Sequence, residues 1–174
     1  MRVTLVLGGA RSGKSALAER LTLAAGPHPI YAATAEAHDE EMRARIVQHR
    51  AARTGQGWET RDVPLSLADL LAAEPARPIL VDCLTLWLTN HLLAEHDLAA
   101  EGNRLLQTLA ARPGPTVLVA NEVGMGIVPD NALARRFRDA AGRLNQQAAA
   151  VADTVVLVAA GLPLLLKGQL PRES

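Results

Sequence analysis

The sequence has 174 residues, a length that predicts a single domain, residues 1–174, able to bury a core of its own. Lys and Arg together number 18, as do Asp and Glu, so the chain has no net positive field to attract nucleic acid or an anionic membrane. Cys83 is the single cysteine, which excludes a disulfide framework and a cysteine zinc cluster within one chain.

Five short aliphatic runs predict strands, and each is apolar on both faces, as is typical of parallel strands covered by helices. These runs are Val3–Leu7, Ile30–Ala33, Ile79–Asp82, Thr116–Ala120 and Thr154–Ala159, with a weaker edge strand at Trp58–Asp62. Helical patterns lie between them, at Ser12–Ala25, Asp39–Ala52, Ser66–Ala73, Leu84–His96, Ala99–Ala111 and Asp130–Ala152. Strands that alternate with helices predict an α/β fold with a mostly parallel sheet and right-handed crossovers.

Local signals suggest how some of these helices begin. Ser66 and Asp69 have the spacing of a capping box, and Asp130 is placed to cap the last helix. His91 and His96 are five residues apart, which is the wrong spacing for two metal ligands on one helix face. The segment after Pro163 gives no clear pattern, because three leucines are followed by polar residues and a second proline.

The cellular location is expected to be the cytoplasm. The apolar run Met1–Leu7 leads directly into a glycine loop and carries no signal-peptide cleavage pattern. No apolar run reaches the roughly 18 residues that a membrane helix needs.

The glycine loop after the first strand reads Gly8-Gly9-Ala10-Arg11-Ser12-Gly13-Lys14-Ser15 and matches the full P-loop pattern. Glycines let the backbone wrap closely around phosphate, and the amides at a helix N-terminus favour anions. Lys14 would place a positive charge on the terminal phosphates, and the Ser15 hydroxyl would reach Mg2+. The loop therefore predicts a nucleotide site.

A P-loop needs a carboxylate on the magnesium side, and Asp82 is the candidate. It ends the apolar strand Ile79–Asp82, which resembles a Walker B strand. The alternative is that Asp82 only caps the helix that follows.

The P-loop alone does not define the reaction. Regulatory GTPases usually carry an Asn-Lys-x-Asp motif, which is absent, and the Asp-x-x-Gly at Asp139–Gly142 falls inside a predicted helix. A regulatory GTPase is therefore disfavoured, and small-molecule kinases remain.

A second group of residues lies on the helix predicted after the second strand. Met42, Ile46 and His49 share one face, and Arg50 and Arg53 follow within a turn. A lone helical histidine is more often structural than functional, so spacing alone does not assign His49 a role.

Four segments together resemble one enzyme family. They are the P-loop, the stretch with Asp39–Met42, Arg45–Ile46, His49–Arg50 and Trp58, the nonapeptide Asn121–Pro129, and Phe137–Gln146. The chain resembles the bifunctional adenosylcobinamide kinase/adenosylcobinamide-phosphate guanylyltransferases of cobalamin biosynthesis, from the first strand to Gly161.

The resemblance implies two reactions on a RecA-like sheet in a homotrimer. ATP or GTP phosphorylates the hydroxyl of adenosylcobinamide, and GMP from GTP is then transferred to that phosphate through a guanylyl-histidine. The implied catalytic residues are His49, which follows the Arg-Ile pair, and Lys14, and the implied magnesium ligands are Ser15 and Asp82. The implied nucleotide contacts are Gly8, Gly9, Ala10, Arg11, Ser12, Gly13, Lys14, Ser15, Thr34, Ala35, Glu36, Arg50, Ala51, Ala52, Arg53, Asp62 and Asp82.

The chemistry of imidazole agrees with this assignment. A histidine with an ordinary pKa of about 6.5 is largely neutral at pH 7 and can act as a nucleophile. A covalent intermediate divides one difficult displacement into two easier ones. A P-loop kinase without the transferase step, or a nucleotide-binding regulator without activity, remains an alternative.

Glu122 lies at the predicted carboxyl end of the fourth strand, where open α/β sheets usually bind ligands. Two interpretations stay open for it. Glu122 contacts a phosphate-bound metal or the substrate arm, or it caps the loop.

Overall fold

The computed structural model of the chain describes residues 2–36, 40, 55 and 57–170. The strands are β1 (Val3–Gly8), β2 (Ile30–Ala33), β3 (Glu59–Asp62), β4 (Ile79–Asp82), β5 (Thr116–Asn121), β6 (Thr154–Ala159) and β7 (Leu162–Lys167). The helices are α1 (Lys14–Ala24), α2 (Leu67–Ala73), α3 (Leu84–Leu93), α4 (Leu98–Ala111) and α5 (Ala132–Val151). Apart from Glu40, the helix expected at Asp39–Ala52 lies outside the described residues.

In this part of the chain the strands form one sheet in the order β3-β2-β4-β5-β1-β6-β7. Strands β1 to β6 run parallel, and β7 pairs antiparallel with β6. The mostly parallel α/β sheet expected from the sequence is therefore confirmed. Strand β5 lies between β1, which leads into the glycine loop, and β4, which ends in Asp82.

Apolar strand residues pack on both faces of the sheet. One face holds the larger core, where buried side chains of α2, α3, α4 and α5 meet Val3, Leu5 and Leu118. On the opposite face, α1 packs against residues such as Val6 and Val119. Helices on both faces explain why the strands read as continuous apolar runs.

Several helix ends differ from the sequence expectation. The side chain of Asn131, not of Asp130, caps α5 and accepts a hydrogen bond of 2.7 Å from the Ala134 amide. Ser66 makes no side-chain cap bond, so the expected capping box is absent there. Helix α3 ends at Leu93. The Asp97 side chain caps α4 by accepting hydrogen bonds from the amides of Ala99 and Ala100.

The predicted end of α3 at His96 is wrong because Glu95 has a φ of 58°, which turns the chain back on itself. The turn brings His96 Nδ1 to 2.9 Å from His91 Nδ1. The two histidines are therefore in contact, although helical spacing placed them apart.

Strand β7 was not expected from the sequence. It follows β6 through a two-residue turn, Ala160-Gly161, in which both residues have positive φ, as a tight hairpin requires. All of its residues are exposed, including Leu162 and Leu164 to Leu166. An exposed strand that contains a proline gives none of the patterns by which strands are recognised.

Candidate nucleotide-binding site

The glycine loop links the end of β1 to the start of α1, which is the context that a P-loop requires. Gly13 is the N-cap of α1 and has a φ of 96°, while Arg11 has a φ of 54°. The Leu17 amide donates to Gly13 O at 3.2 Å, which begins the helix. The amides at this N-terminus are thus available to an anion at the carboxyl edge of the sheet.

Close packing restricts the first residue of the loop. A Cβ added to Gly8 would overlap Ser12 Oγ and lie 2.7 Å from Val158 O. The turn of the β6-β7 hairpin holds the loop from the other side, because the Gly161 amide donates to Ser12 O at 2.8 Å. Glycine at position 8 is therefore a steric requirement.

Two polar side chains of the loop are placed for an anion. Ser12 Oγ is buried and has no hydrogen-bond partner among the described residues. Buried hydroxyls are normally hydrogen-bonded, so Ser12 is a candidate donor to a bound group. Lys14 Nζ donates to Gly9 O at 3.1 Å, which keeps the ammonium over the loop.

Asp82 is held by an aromatic hydroxyl from the neighbouring strand. Tyr31 Oη donates to Asp82 Oδ2 at 2.5 Å, and the Tyr31 ring packs edge-on against Trp58 with 5.9 Å between the ring centroids. No sequence pattern indicates a role for Tyr31, because its contact with Asp82 depends on the register between β2 and β4.

Thr34 joins the ends of β2 and β4. Its hydroxyl donates to Cys83 O and accepts from the Cys83 amide, both at 2.7 Å. Its amide donates to Asp82 O, and its carbonyl accepts from Asn90 Nδ2. Burial raises the pKa of the Cys83 thiol to about 11, so Cys83 is a neutral core residue. A nucleotide contact at Thr34 rests on the family resemblance alone.

The other expected contacts divide into two sets. Ala35 and Glu36 follow β2 and are half-buried. Asp62 at the end of β3 and Asp82 at the end of β4 are both level with Ala33 at the end of β2. These residues share the carboxyl edge of the sheet with the P-loop. Five expected residues lie outside the described part of the chain: His49, Arg50, Ala51, Ala52 and Arg53.

The carboxyl end of β5 lies beside the P-loop. Asn121 is paired with Gly8 in the strand register, and the Glu122 amide donates to Gly8 O at 3.1 Å. Glu122 Oε1 accepts a bond of 2.7 Å from the Gly124 amide, which is the loop-capping contact that the sequence left open.

Clusters of metal-binding side chains and membrane-spanning helices are both absent from the described part of the chain. Among residues 2–36, 40, 55 and 57–170, no group of three or more His, Cys, Asp or Glu side chains is placed to hold a metal ion. No helix in the same part of the chain is both long and apolar enough to cross a membrane.

The glycine loop after β1, with β5 inserted between β1 and β4, defines a P-loop NTPase fold of the RecA-like type. Solved structures agree on the fold. The RadB recombinase has a TM-score of 0.51 and 18% identity, covering 90% of this chain and 73% of that one. An ATPase from the type III secretion system of pathogenic bacteria has a TM-score of 0.53 and 13% identity, covering 94% of this chain and 56% of that one.

Sequence comparison identifies the family. The model of the cobinamide kinase / cobinamide phosphate guanyltransferase family matches residues 4–166, and the chain belongs to this family. The bifunctional adenosylcobalamin biosynthesis protein CobP of Pseudomonas aeruginosa is 50% identical over 169 residues, 95% of this chain and 97% of the relative. CobU of Salmonella typhimurium is 44% identical over 180 residues, covering 94% of this chain and 98% of the relative. The resemblance seen in the sequence is thereby confirmed.

Proposed function

We propose that this protein phosphorylates adenosylcobinamide with ATP or GTP and then transfers GMP from GTP to the phosphorylated product. The observation that carries the proposal is the family match over residues 4–166, which includes a P-loop in the correct strand–loop–helix context. The product would be adenosylcobinamide-GDP, formed in cobalamin biosynthesis.

The P-loop would serve the kinase step by binding the triphosphate. The amides at the start of α1 and the Lys14 ammonium supply positive charge where negative charge accumulates during transfer. Phosphoryl transfer depends mainly on positioning and electrostatic stabilisation, so this step needs no nucleophile from the protein.

His49 would act in the transferase step. A lone pair of its imidazole attacks the α-phosphorus of GTP, and the bond to the bridging oxygen breaks as pyrophosphate leaves. A phosphate oxygen of adenosylcobinamide phosphate then attacks the same phosphorus, and the phosphorus–nitrogen bond breaks to regenerate His49. Arg50 and Arg53 would spread the phosphate charge.

Ser15 and Asp82 are the residues we propose to hold Mg2+. A hydroxyl and a carboxylate are the hard oxygen ligands that this ion prefers, and it usually keeps several waters, so two protein ligands are a sufficient set. When bound, the ion would neutralise charge on the triphosphate. Tyr31 orients Asp82 through Oδ2, and a carboxylate has a second oxygen with which to bind a ligand.

A homotrimer in the cytoplasm is part of the same proposal and rests on the family resemblance. The exposed leucines of edge strand β7, which are Leu162, Leu164, Leu165 and Leu166, would be suited to an interface, because exposed apolar edge strands are usually covered. Light scattering should give three times the mass of the chain.

The proposal is tested with the purified protein, adenosylcobinamide and GTP, with products followed by mass spectrometry. We expect adenosylcobinamide phosphate first and adenosylcobinamide-GDP next, with a guanylylated protein as intermediate. A P-loop kinase without the transferase step would stop at the phosphate, and a nucleotide-binding regulator would yield neither product.

A further inference from the structure

We propose that Glu122 is the general base of the phosphorylation step, the group that accepts the proton of the substrate hydroxyl as it attacks the γ-phosphate. This inference rests on the proposed kinase function. It assigns to the carboxyl end of β5 a catalytic role beyond the loop contact already described.

The position of Glu122 relative to the P-loop is set by the sheet. Strand β5 is the direct neighbour of β1, Asn121 is level with Gly8, and the Glu122 amide donates to Gly8 O at 3.1 Å. Glu122 therefore leaves the sheet beside the first residue of the P-loop. A nucleotide held by that loop would present its phosphates at this edge.

Other acids at the described strand ends lie farther from the P-loop strand. Neighbouring strands are about 4.8 Å apart, so β5 is about 5 Å from β1, β4 is about 10 Å away and β3 about 19 Å away. Asp82 ends β4 and Asp62 ends β3. Asp82 also accepts the hydroxyl of Tyr31 and is the proposed magnesium ligand, which leaves Glu122 as the carboxylate for proton transfer.

The end of β5 is held firmly, as a base on a fixed element requires. Thr85 Oγ1 accepts a bond of 2.7 Å from the Asn121 amide, and Asn145 Nδ2 donates to Asn121 O at 3.3 Å. The Glu122 carboxylate is oriented by the Gly124 amide, and a Cβ on residue 124 would lie only 2.9 Å from Glu122 Oε1. Glycine at 124 thus leaves room for the carboxylate.

One hydrogen bond does not use all the acceptor positions of the Glu122 carboxylate. The two oxygens of a carboxylate offer about four acceptor positions, and the Gly124 amide uses one of them. In the proposed step, the hydroxyl proton moves to Glu122 while the hydroxyl oxygen bonds to the γ-phosphorus. The bond from that phosphorus to the bridging oxygen breaks, its electron pair leaves with the nucleoside diphosphate, and Glu122 returns the proton to water.

The two half-reactions differ in their need for a base. Phosphorylation removes a proton from a neutral hydroxyl, whereas the guanylyl group is taken by a phosphate oxygen that is already ionised at pH 7. Glu122 should therefore affect the first half-reaction and leave the second nearly unchanged. If Glu122 only maintained the structure of the loop, its substitution would impair both half-reactions, because both use the same P-loop edge.

The test compares Glu122→Gln with the wild type and with Asp130→Asn, which makes the same charge change at an exposed position at the far end of the same loop. Glutamine keeps an oxygen that can accept from the Gly124 amide but cannot accept the proton. We expect kcat for phosphorylation to fall about 10²- to 10⁴-fold, with KM for ATP unchanged. Guanylylation of the protein, and transfer to supplied adenosylcobinamide phosphate, should stay near wild type in both variants.

Three results would overturn the assignment. A Glu122→Gln kcat for phosphorylation close to that of the wild type would show that no base acts there. Equal losses in both half-reactions, or the same loss in Asp130→Asn, would indicate a structural or charge effect. If the wild-type protein did not phosphorylate adenosylcobinamide, the proposed function itself would be refuted. The wild-type assay therefore distinguishes that failure from a failure of the role given to Glu122.

Discussion

Tyr31 donates a hydrogen bond of 2.5 Å from its phenol to Asp82, and this contact crosses from β2 to β4 at the edge of the sheet that carries the P-loop. Tyr31 lies two residues before Ala33, which is level with Asp82 in the strand register, so the long side chain reaches the carboxylate diagonally. The orientation of the proposed magnesium ligand thus depends on a residue of a different strand.

We expect Tyr31→Phe to keep the fold, because the ring can still pack against Trp58, but to release Asp82. The coupling between the two groups should be about 1.5 to 3 kcal/mol, as is typical of a hydrogen bond to a charged group. A double-mutant cycle with Tyr31→Phe and Asp82→Ala, each of which removes the hydrogen bond, followed by urea unfolding, measures it. Strictly additive single-mutant effects would show that the contact contributes nothing.

Asp82→Asn should leave nucleotide binding measurable and weaken magnesium-dependent catalysis. The amide keeps the shape and can still accept from Tyr31, but it lacks the negative charge that a hard cation prefers. Titration of both half-reactions with MgCl2 should show a higher magnesium requirement, while Asp139→Asn, an exposed acid on α5, should behave as wild type. An unchanged requirement in Asp82→Asn would leave Asp82 with a structural role only.

Lys14→Ala should lose both activities, because one P-loop is proposed to bind the nucleotide for both. The variant removes charge-assisted bonds to phosphate in either transition state, and we expect a loss of about 10²-fold or more in kcat. Arg143→Ala, which removes an exposed positive charge from α5, is the matched control. Near-normal turnover of either half-reaction by Lys14→Ala would argue for separate nucleotide sites.

His91 should make stability depend on pH below neutrality. Burial lowers the pKa of its imidazole, whose Nε2 faces Leu65 O while Nδ1 faces His96 Nδ1. Because the unfolded chain binds this proton more readily, the folded state should lose stability as pH falls below about 6.5. The slope contributed by this residue cannot exceed about 1.4 kcal/mol per pH unit.

Urea unfolding of His91→Phe between pH 7.5 and 5 measures this effect. The variant keeps an aromatic ring beside Trp87 and should show a flatter pH dependence than wild type. His28→Asn, in the exposed loop before β2, is the control, since asparagine tolerates the positive φ of 52° at that position. Parallel pH profiles for wild type and His91→Phe would contradict the assignment.

The sequence predicted the features that depend on local pattern. Strands β1, β2, β4, β5 and β6 were placed to within one residue, because continuous apolar runs between helices have few other interpretations. The exposed strand β7 was missed because no buried face imposes a pattern on it. The proposed cap at Asp130 was wrong by one residue, since both Asp130 and Asn131 are good caps and only backbone geometry selects between them.

Contacts within the site depend instead on the order of the strands in the sheet. The P-loop was recognisable because its own spacing encodes the strand, loop and helix. Tyr31 and Asp82 are 51 residues apart, and their contact requires β2 and β4 to be neighbours in a particular register. Likewise, Glu122 lies beside Gly8 only because β5 is inserted between β1 and β4. No local pattern carries that information.

His49 separates the two proposed activities most clearly. His49→Ala should abolish the guanylylated protein and the adenosylcobinamide-GDP product, whereas phosphorylation of adenosylcobinamide should survive at least in part. The reason is that transfer of the γ-phosphoryl group needs positioning and charge but no nucleophile from the protein. Incubation with α-labelled GTP and quantification of labelled protein, next to a product assay for each half-reaction, measures both outcomes. The matched control is His38→Ala.

The chemistry of the labelled adduct provides a second criterion for the same prediction. A phosphorus–nitrogen bond to imidazole is labile in acid and stable in alkali, unlike a serine ester, so brief acid treatment should release GMP from the wild-type protein. Adduct formation should also fall at low pH, where imidazolium has no lone pair with which to attack. If His49→Ala still accumulated covalent GMP, or if the wild-type adduct resisted acid, the nucleophile would be a different residue and the role given to His49 by the family pattern would be wrong.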